Sequence, residues 1–114
     1  MHKYIEYALQ CEVVKILRQN QFVVFSIPNE RNMGVSDMVR MRASGLTKGA
    51  PDLICYSPTG VCWWLELKTP KGKRSPEQMC MENLADDLGV SYQVVRSVDD
   101  LDVVLDIDLD GFAD

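Results

Sequence analysis

The stretch Val61-Cys62-Trp63-Trp64-Leu65-Glu66-Leu67-Lys68 constrains this chain more than any other. Valine, cysteine, two tryptophans and leucine in one short run are what a half-buried or central strand requires. Side chains alternate across a strand, so Val61, Trp63, Leu65 and Leu67 share one face, while Cys62, Trp64, Glu66 and Lys68 share the other. The acid and the amine therefore point the same way. Taken alone, such a pair reads as a solvated couple. At the end of a run this apolar it also reads as a site, because a charge there is costly unless it is paired or binds a cation.

Upstream, Asp52-Leu53-Ile54-Cys55-Tyr56 is a second apolar run, and Ser57-Pro58-Thr59-Gly60 between the two carries turn residues. A hairpin of this kind lets Asp52, at the start of one strand, approach the Glu66 and Lys68 end of its partner. Two carboxylates that close repel one another unless a divalent cation sits between them. Hard oxygen ligands without sulfur or imidazole suit magnesium or manganese.

Around this hairpin the remaining elements follow from periodicity. Ile5, Leu9, Val13 and Ile16 recur at helical spacing over residues 4–19, with no Gly or Pro to interrupt them. Residues 22–27 read as a strand, and 28–49 as a long loop with one helical turn near 36–42. After the strands at 53–56 and 61–68, Ser75-Pro76-Glu77-Gln78 fits a capping box that opens a helix over 76–88, closed by Gly89. A strand at 92–95 and a short helix from Asp99 to Leu105 follow. The reading is α/β, a mixed sheet of about four strands flanked by helices in the order αβββαβ. A chain of 114 residues, 46% hydrophobic, makes one domain with a modest core.

Three elements taken in order resemble a known family: Gly49-Ala50-Pro51-Asp52, then Glu66-Leu67-Lys68, then Pro70-Lys71-Gly72-Lys73-Arg74-Ser75-Pro76-Glu77-Gln78. They are similar to the PD-(D/E)xK nuclease superfamily, and more narrowly to its virus-type replication-repair nuclease branch, VRR-NUC. An ExK alone is a weak signal; GxPD, ExK, KGK and SPEQ in succession are specific. The resemblance runs from the first helix through Val94-Val95-Arg96-Ser97 to about Leu105. It implies a restriction-endonuclease-like core over residues 1–105. It also implies hydrolysis of a phosphodiester, with Mg²⁺ or Mn²⁺ held by Asp52, Glu66 and the backbone carbonyl of Leu67, and with Lys68 positioning the attacking water.

Glu12 and Gln78 each admit two readings. On a helical wheel Glu12 falls between Ala8, Ile5 and Ile16, inside the apolar stripe. It is either paired or snorkelling to the edge, or it faces the site, since the family resemblance places an acid on the first helix. Gln78 is explained by the capping box, and the resemblance suggests that it also faces the active site.

The absent residue types narrow the chemistry. The only histidine is His2, which excludes histidine-based nucleases and Ser-His-Asp triads. Cys11, Cys55, Cys62 and Cys80 form no CxxC pair, so zinc has no support from spacing, and they read as buried thiols in a reducing compartment. No apolar run suffices for a membrane span and the start lacks a signal-peptide core, so the expected location is intracellular. The formal charge of −5 hides an asymmetry: residues 1–98 hold all 12 basic groups and 10 of the 17 acids, for +2, while 99–114 hold seven Asp, for −7. Residues 106–114 read as a solvated, frayed acidic tail. The basic groups cluster as Lys68, Lys71, Lys73 and Arg74 after the ExK strand, and as Arg40, Arg42 and Lys48 before the GxPD turn. Such a rim suits phosphates on either side of a scissile bond, reading backbone shape and not sequence.

The resemblance thus implies a metal-dependent DNA endonuclease, in a stand-alone phage-type form within the cytoplasm of a bacterial host. Similar minimal nucleases act as homodimers on branched DNA such as four-way (Holliday) junctions. Two other classes compete: a catalytically silent nucleic-acid-binding module of the same fold, and a small phage protein that binds a host protein through its acidic tail.

Overall fold

A computed structural model describes residues 2–28, 34–45 and 47–106. The first helix, α1 (His2–Gln19), buries Val13 and Leu17 against the sheet, with Leu9, Val14 and Ile16 partly covered beside them. That stripe centres on Val13 and Leu17, which lie about 100° and 140° round the helix from Glu12. Glu12 is consequently exposed and does not lie within the apolar face. The helix closes in a Schellman turn: the Gln21 N–H reaches the Arg18 carbonyl at 3.1 Å and the Phe22 N–H the Leu17 carbonyl at 3.0 Å, with Gln21 at φ +66°.

After β1 (Val23–Ser26), where a long loop with one helical turn is expected, a nine-residue helix forms, α2 (Val35–Ala43). Its methionines, arginines and alanine favour helix, and Gly34 and Gly45 flank it. Residues 29–33 and 46 of that loop lie outside the described residues.

Next come β2 (Leu53–Tyr56), β3 (Cys62–Leu67), α3 (Pro76–Leu88) and β4 (Ser91–Val95). The sheet order is β1-β2-β3-β4, with β1/β2 and β2/β3 antiparallel and β3/β4 parallel. Parallel neighbours need a long crossover, and α3 supplies it. One face of all four strands builds the core: Val24, then Leu53 and Cys55, then Trp63, Leu65 and Leu67, then Val95. Full burial of each of these leucines contributes about 1.5–3 kcal/mol relative to exposure. A 3₁₀ turn (Val98–Leu101) runs on helically to residue 106 and caps this face with Leu101 and Val104. Of the acidic tail expected at 106–114, residues 107–114 lie outside the described residues.

The cysteines divide. Cys55 is buried and Cys62 half-buried, but Cys11 and Cys80 are exposed, against expectation; all four are free thiols. Cys11 sits about 200° round α1 from Val13, and Cys80 about 140° round α3 from its one buried residue, Ala85. No helix among the described residues is long and apolar enough to cross a membrane.

Candidate active site

Asp52 is fixed by the hairpin on both sides. Its N–H donates to the Leu65 carbonyl at 3.0 Å and its carbonyl accepts from the Ile27 N–H at 3.0 Å. The register that sets Leu53 against Leu65 puts Asp52 level with Glu66, and the Asp52 Oδ2 accepts the Leu67 N–H at 2.7 Å. The turn leading into Asp52 depends on Gly49, which has φ +84° and lies against the backbone of Glu77 at the start of α3. Lys48 pairs with Glu77 over the same junction, at 3.4 Å.

Glu66 occupies the face of β3 opposite the core and is nonetheless only 1% exposed. Arg74 answers its charge: Nε lies 3.1 Å from both carboxylate oxygens and Nη2 3.1 Å from Oε1. The Tyr92 hydroxyl donates to Oε1 at 2.7 Å, and the Arg74 guanidinium stacks over the Tyr92 ring, 5.8 Å from its centroid. Through Nη1, Arg74 also reaches Glu82 on α3 at 2.7 Å. Burial alone would lower the Arg74 pKa, but the hydrogen bonds it donates to Glu66 and Glu82 outweigh this and hold the guanidinium above its ordinary value. Burial, reinforced by the hydrogen bond to Glu66, raises the Tyr92 phenol. Tyr92 therefore acts as a protonated donor.

Lys68 extends the β3/β4 pairing, its N–H bonding the Val95 carbonyl at 3.0 Å, and its stem runs beside Gly72. Its ammonium has no ion-pair partner among the described residues. The segment after it is shaped by Arg96, whose Nη1 donates to the carbonyls of Thr69 at 2.9 Å, Pro70 at 3.3 Å and Gly72 at 2.7 Å. Asp100 accepts the Arg96 backbone N–H at 2.7 Å. The capping box closes the segment: Ser75 Oγ accepts the Gln78 N–H at 3.1 Å, and Gln78 Oε1 accepts the Ser75 N–H at 2.9 Å.

Asp52, Glu66, the Leu67 backbone and Lys68 are thus brought together at one end of β3, and Gln78 stands at the adjoining helix start. Glu12 lines a separate hollow with Ile5, Leu9, Thr69, Pro70 and Arg96. Lys71 and Lys73 are exposed on the connecting segment, whereas Arg74, expected on the same rim, is one-fifth exposed and occupied by two acids. Arg40 pairs with Asp37 on exposed α2, and Arg42 is exposed there too. Tyr92, Glu82 and Arg96 were not singled out from sequence. Their positions follow from the parallel pairing of β4 and the α3 crossover, which no local spacing encodes.

The donor set agrees in kind with a hard divalent cation, since the Asp52 carboxylate lies at the Leu67 amide and Glu66 is the residue before it. Among the described residues no group of three or more His, Cys, Asp or Glu is placed to hold a metal. A cation here would depend on two carboxylates completed by main-chain and water oxygens.

No protein-family model and no curated protein matches the sequence. Solved structures do. One named "VRR_NUC domain" is 25% identical, with a TM-score of 0.64 over 85% of this chain and 92% of its own. Another, "VRR_NUC domain protein", is 17% identical, with a TM-score of 0.69 over 90% of this chain and 85% of its own. The mixed four-stranded sheet with its helices is the restriction-endonuclease-like, VRR-NUC nuclease-domain fold.

Proposed function

Proceeding from a chain with the VRR-NUC fold, we propose that it is a Mg²⁺- or Mn²⁺-dependent endonuclease that hydrolyses phosphodiester bonds in DNA, with residues 1–105 as the nuclease domain. The observation that carries this reading is the Asp52 carboxylate on the Leu67 amide, level with Glu66 and next to Lys68. Asp52, Glu66 and the Leu67 carbonyl would hold the ion. When bound, the ion supplies Lewis-acid polarisation of the phosphoryl oxygen and stabilises charge on the leaving oxygen.

The chain's own groups do the rest. Lys68 orients the attacking water and offsets negative charge that develops on the phosphoryl group. The Leu67 N–H holds the Asp52 carboxylate in one orientation, and Arg96 keeps the Thr69–Gly72 carbonyls gathered so that Lys71 and Lys73 project outward to DNA phosphates. Lys48, before the GxPD turn, and Arg40 and Arg42, on exposed α2, would supply further phosphate contacts. Gln78 is assigned a supporting role at the site's edge, and Glu12, in its own hollow beside Thr69 and Pro70, one behind the segment that follows Lys68. Branched DNA such as a four-way junction is the proposed substrate, cut by a homodimer, and the setting is the cytoplasm of a bacterial host infected by phage.

The engagement of Glu66 by Arg74 and Tyr92 favours a second reading, a silent nucleic-acid-binding module in which Glu66 is structural. Labelled four-way junction, flap, single-stranded and linear duplex DNA, incubated with Mg²⁺ or Mn²⁺, separate the two. Metal-dependent cutting that is lost in Asp52→Ala and Lys68→Ala supports the nuclease; binding without cutting supports the silent module. A junction nicked once at most, or not preferred over duplex, refutes the branched substrate.

A further inference from the structure

We infer that Arg74 is a built-in counter-ion occupying the cation's place on Glu66, and that a divalent ion binds only by displacing it toward Glu82. The inference rests on the cation site proposed above and concerns how that site is kept before it is loaded.

A carboxylate 1% exposed cannot stand uncompensated. Glu66 is compensated by one guanidinium that also reaches the rim: Nε and Nη2 face the buried acid, while Nη1 lies 2.7 Å from Glu82, whose side chain is 44% exposed. Arg74 thus bridges an inner and an outer carboxylate. Its hold on Glu66 is uneven, since Oε1 receives Nε, Nη2 and the Tyr92 hydroxyl, but Oε2 receives Nε alone. Oε2 is the oxygen with capacity left for an incoming ion. A guanidinium beside a doubly charged ion at this depth is strongly repelled, so the two cannot share Glu66. Glu82 can retain the released guanidinium, and the Tyr92 hydroxyl continues to orient Glu66 after the exchange. The segment carrying Arg74 is tied by Arg96 before it and by the capping box after it. The exchange is therefore a rotation of the side chain, with the loop left in place.

The test reads metal binding and not cleavage. In the wild-type protein the Arg74 Nε–H is followed by ¹H–¹⁵N NMR while Mg²⁺ is added, its resonance assigned by its loss in Arg74→Lys. Loss of the carboxylate-bonded signal in step with Mg²⁺ binding is expected. In parallel, Mn²⁺ affinity is measured by calorimetry for wild type, Arg74→Lys and Arg74→Gln, with a gain of about fivefold or more expected in Arg74→Gln. Should Arg74→Gln fail to fold, the wild-type titration and Arg74→Lys decide. Metal binding with an unmoved Arg74 signal and no gain in the variants overturns this proposal alone. If neither wild type nor variant binds Mg²⁺ or Mn²⁺, the cation site itself falls, and the proposal with it.

Discussion

Gly49 lies so close to Glu77 that a Cβ added to it would come within 2.6 Å of the Glu77 carbonyl carbon. The glycine of GxPD is thereby seated on the first turn of α3, and two motifs separated in sequence share one junction. The same glycine has φ +84°, a conformation that side chains resist.

Gly49→Ala should lose at least about 2 kcal/mol, combining left-handed strain with displacement of the Asp52 turn. Gly60→Ala is the control, because Gly60 has φ +91° with open space around it. It should lose about 1–2 kcal/mol from strain alone. Urea unfolding of both variants checks the difference, and equal losses would contradict the packing argument.

Tyr92→Phe keeps the ring under Arg74 but removes the hydroxyl donated to Glu66. A hydrogen bond to a charged acceptor in this setting is worth about 1.5–3 kcal/mol, and the urea midpoint should fall accordingly with an unchanged slope. A loss within error would mean that Arg74 satisfies Glu66 unaided.

Burial pushes the Cys55 thiol up from 9.0 to about 12. The folded pKa lies above the unfolded one, so its stabilising contribution is intact below pH 9 and is lost as pH rises from there toward 12, at roughly 1.4 kcal/mol per pH unit. Tyr92 is shifted in the same direction. Thermal melts from pH 8 to 11 should show a plateau to about pH 9 and a decline above it that is shallower in Cys55→Ala. At pH 8, iodoacetamide should label exposed Cys11 and Cys80 and spare Cys55 until the protein unfolds.

Gln21 occupies the left-handed position that closes α1, where glycine fits without strain. Gln21→Gly should stabilise by about 0.5–1 kcal/mol, the strain relieved exceeding the added freedom of the unfolded chain. Differential scanning calorimetry should then show a higher Tm, and a lower one would place the strain elsewhere.

What local chemistry determines was legible in the sequence. The Ser75 capping box, Pro76 and Gly89 bound α3 where expected, and alternation in β3 placed Leu65 and Leu67 inward and Glu66 on the other face. The α2 helix was compressed into one turn because it is short, lies between Gly34 and Gly45 and has no side-chain cap to mark its start. Glu12 was read as interior because a wheel gives the apolar stripe but not the angle at which a sheet covers it. The partners of Glu66 could not be foreseen: Tyr92 is 26 positions away and meets it only through a parallel pairing that the α3 crossover creates. Arg74 was expected among the exposed lysines around it, although one of its neighbours in space is a buried acid.

Arg96 gathers three carbonyls of the segment behind Lys68, and it stands just beyond the last strand. During synthesis Asp52, Glu66 and Lys68 all leave the ribosome well before it does. A nascent chain halted ahead of Ser91 has every acid and the lysine of the ExK motif, yet neither Tyr92 to steady Glu66 nor Arg96 to shape the loop. The proposed site is completed from its late end, so an unfinished polypeptide carries its acids and lysine before the groups that arrange them exist.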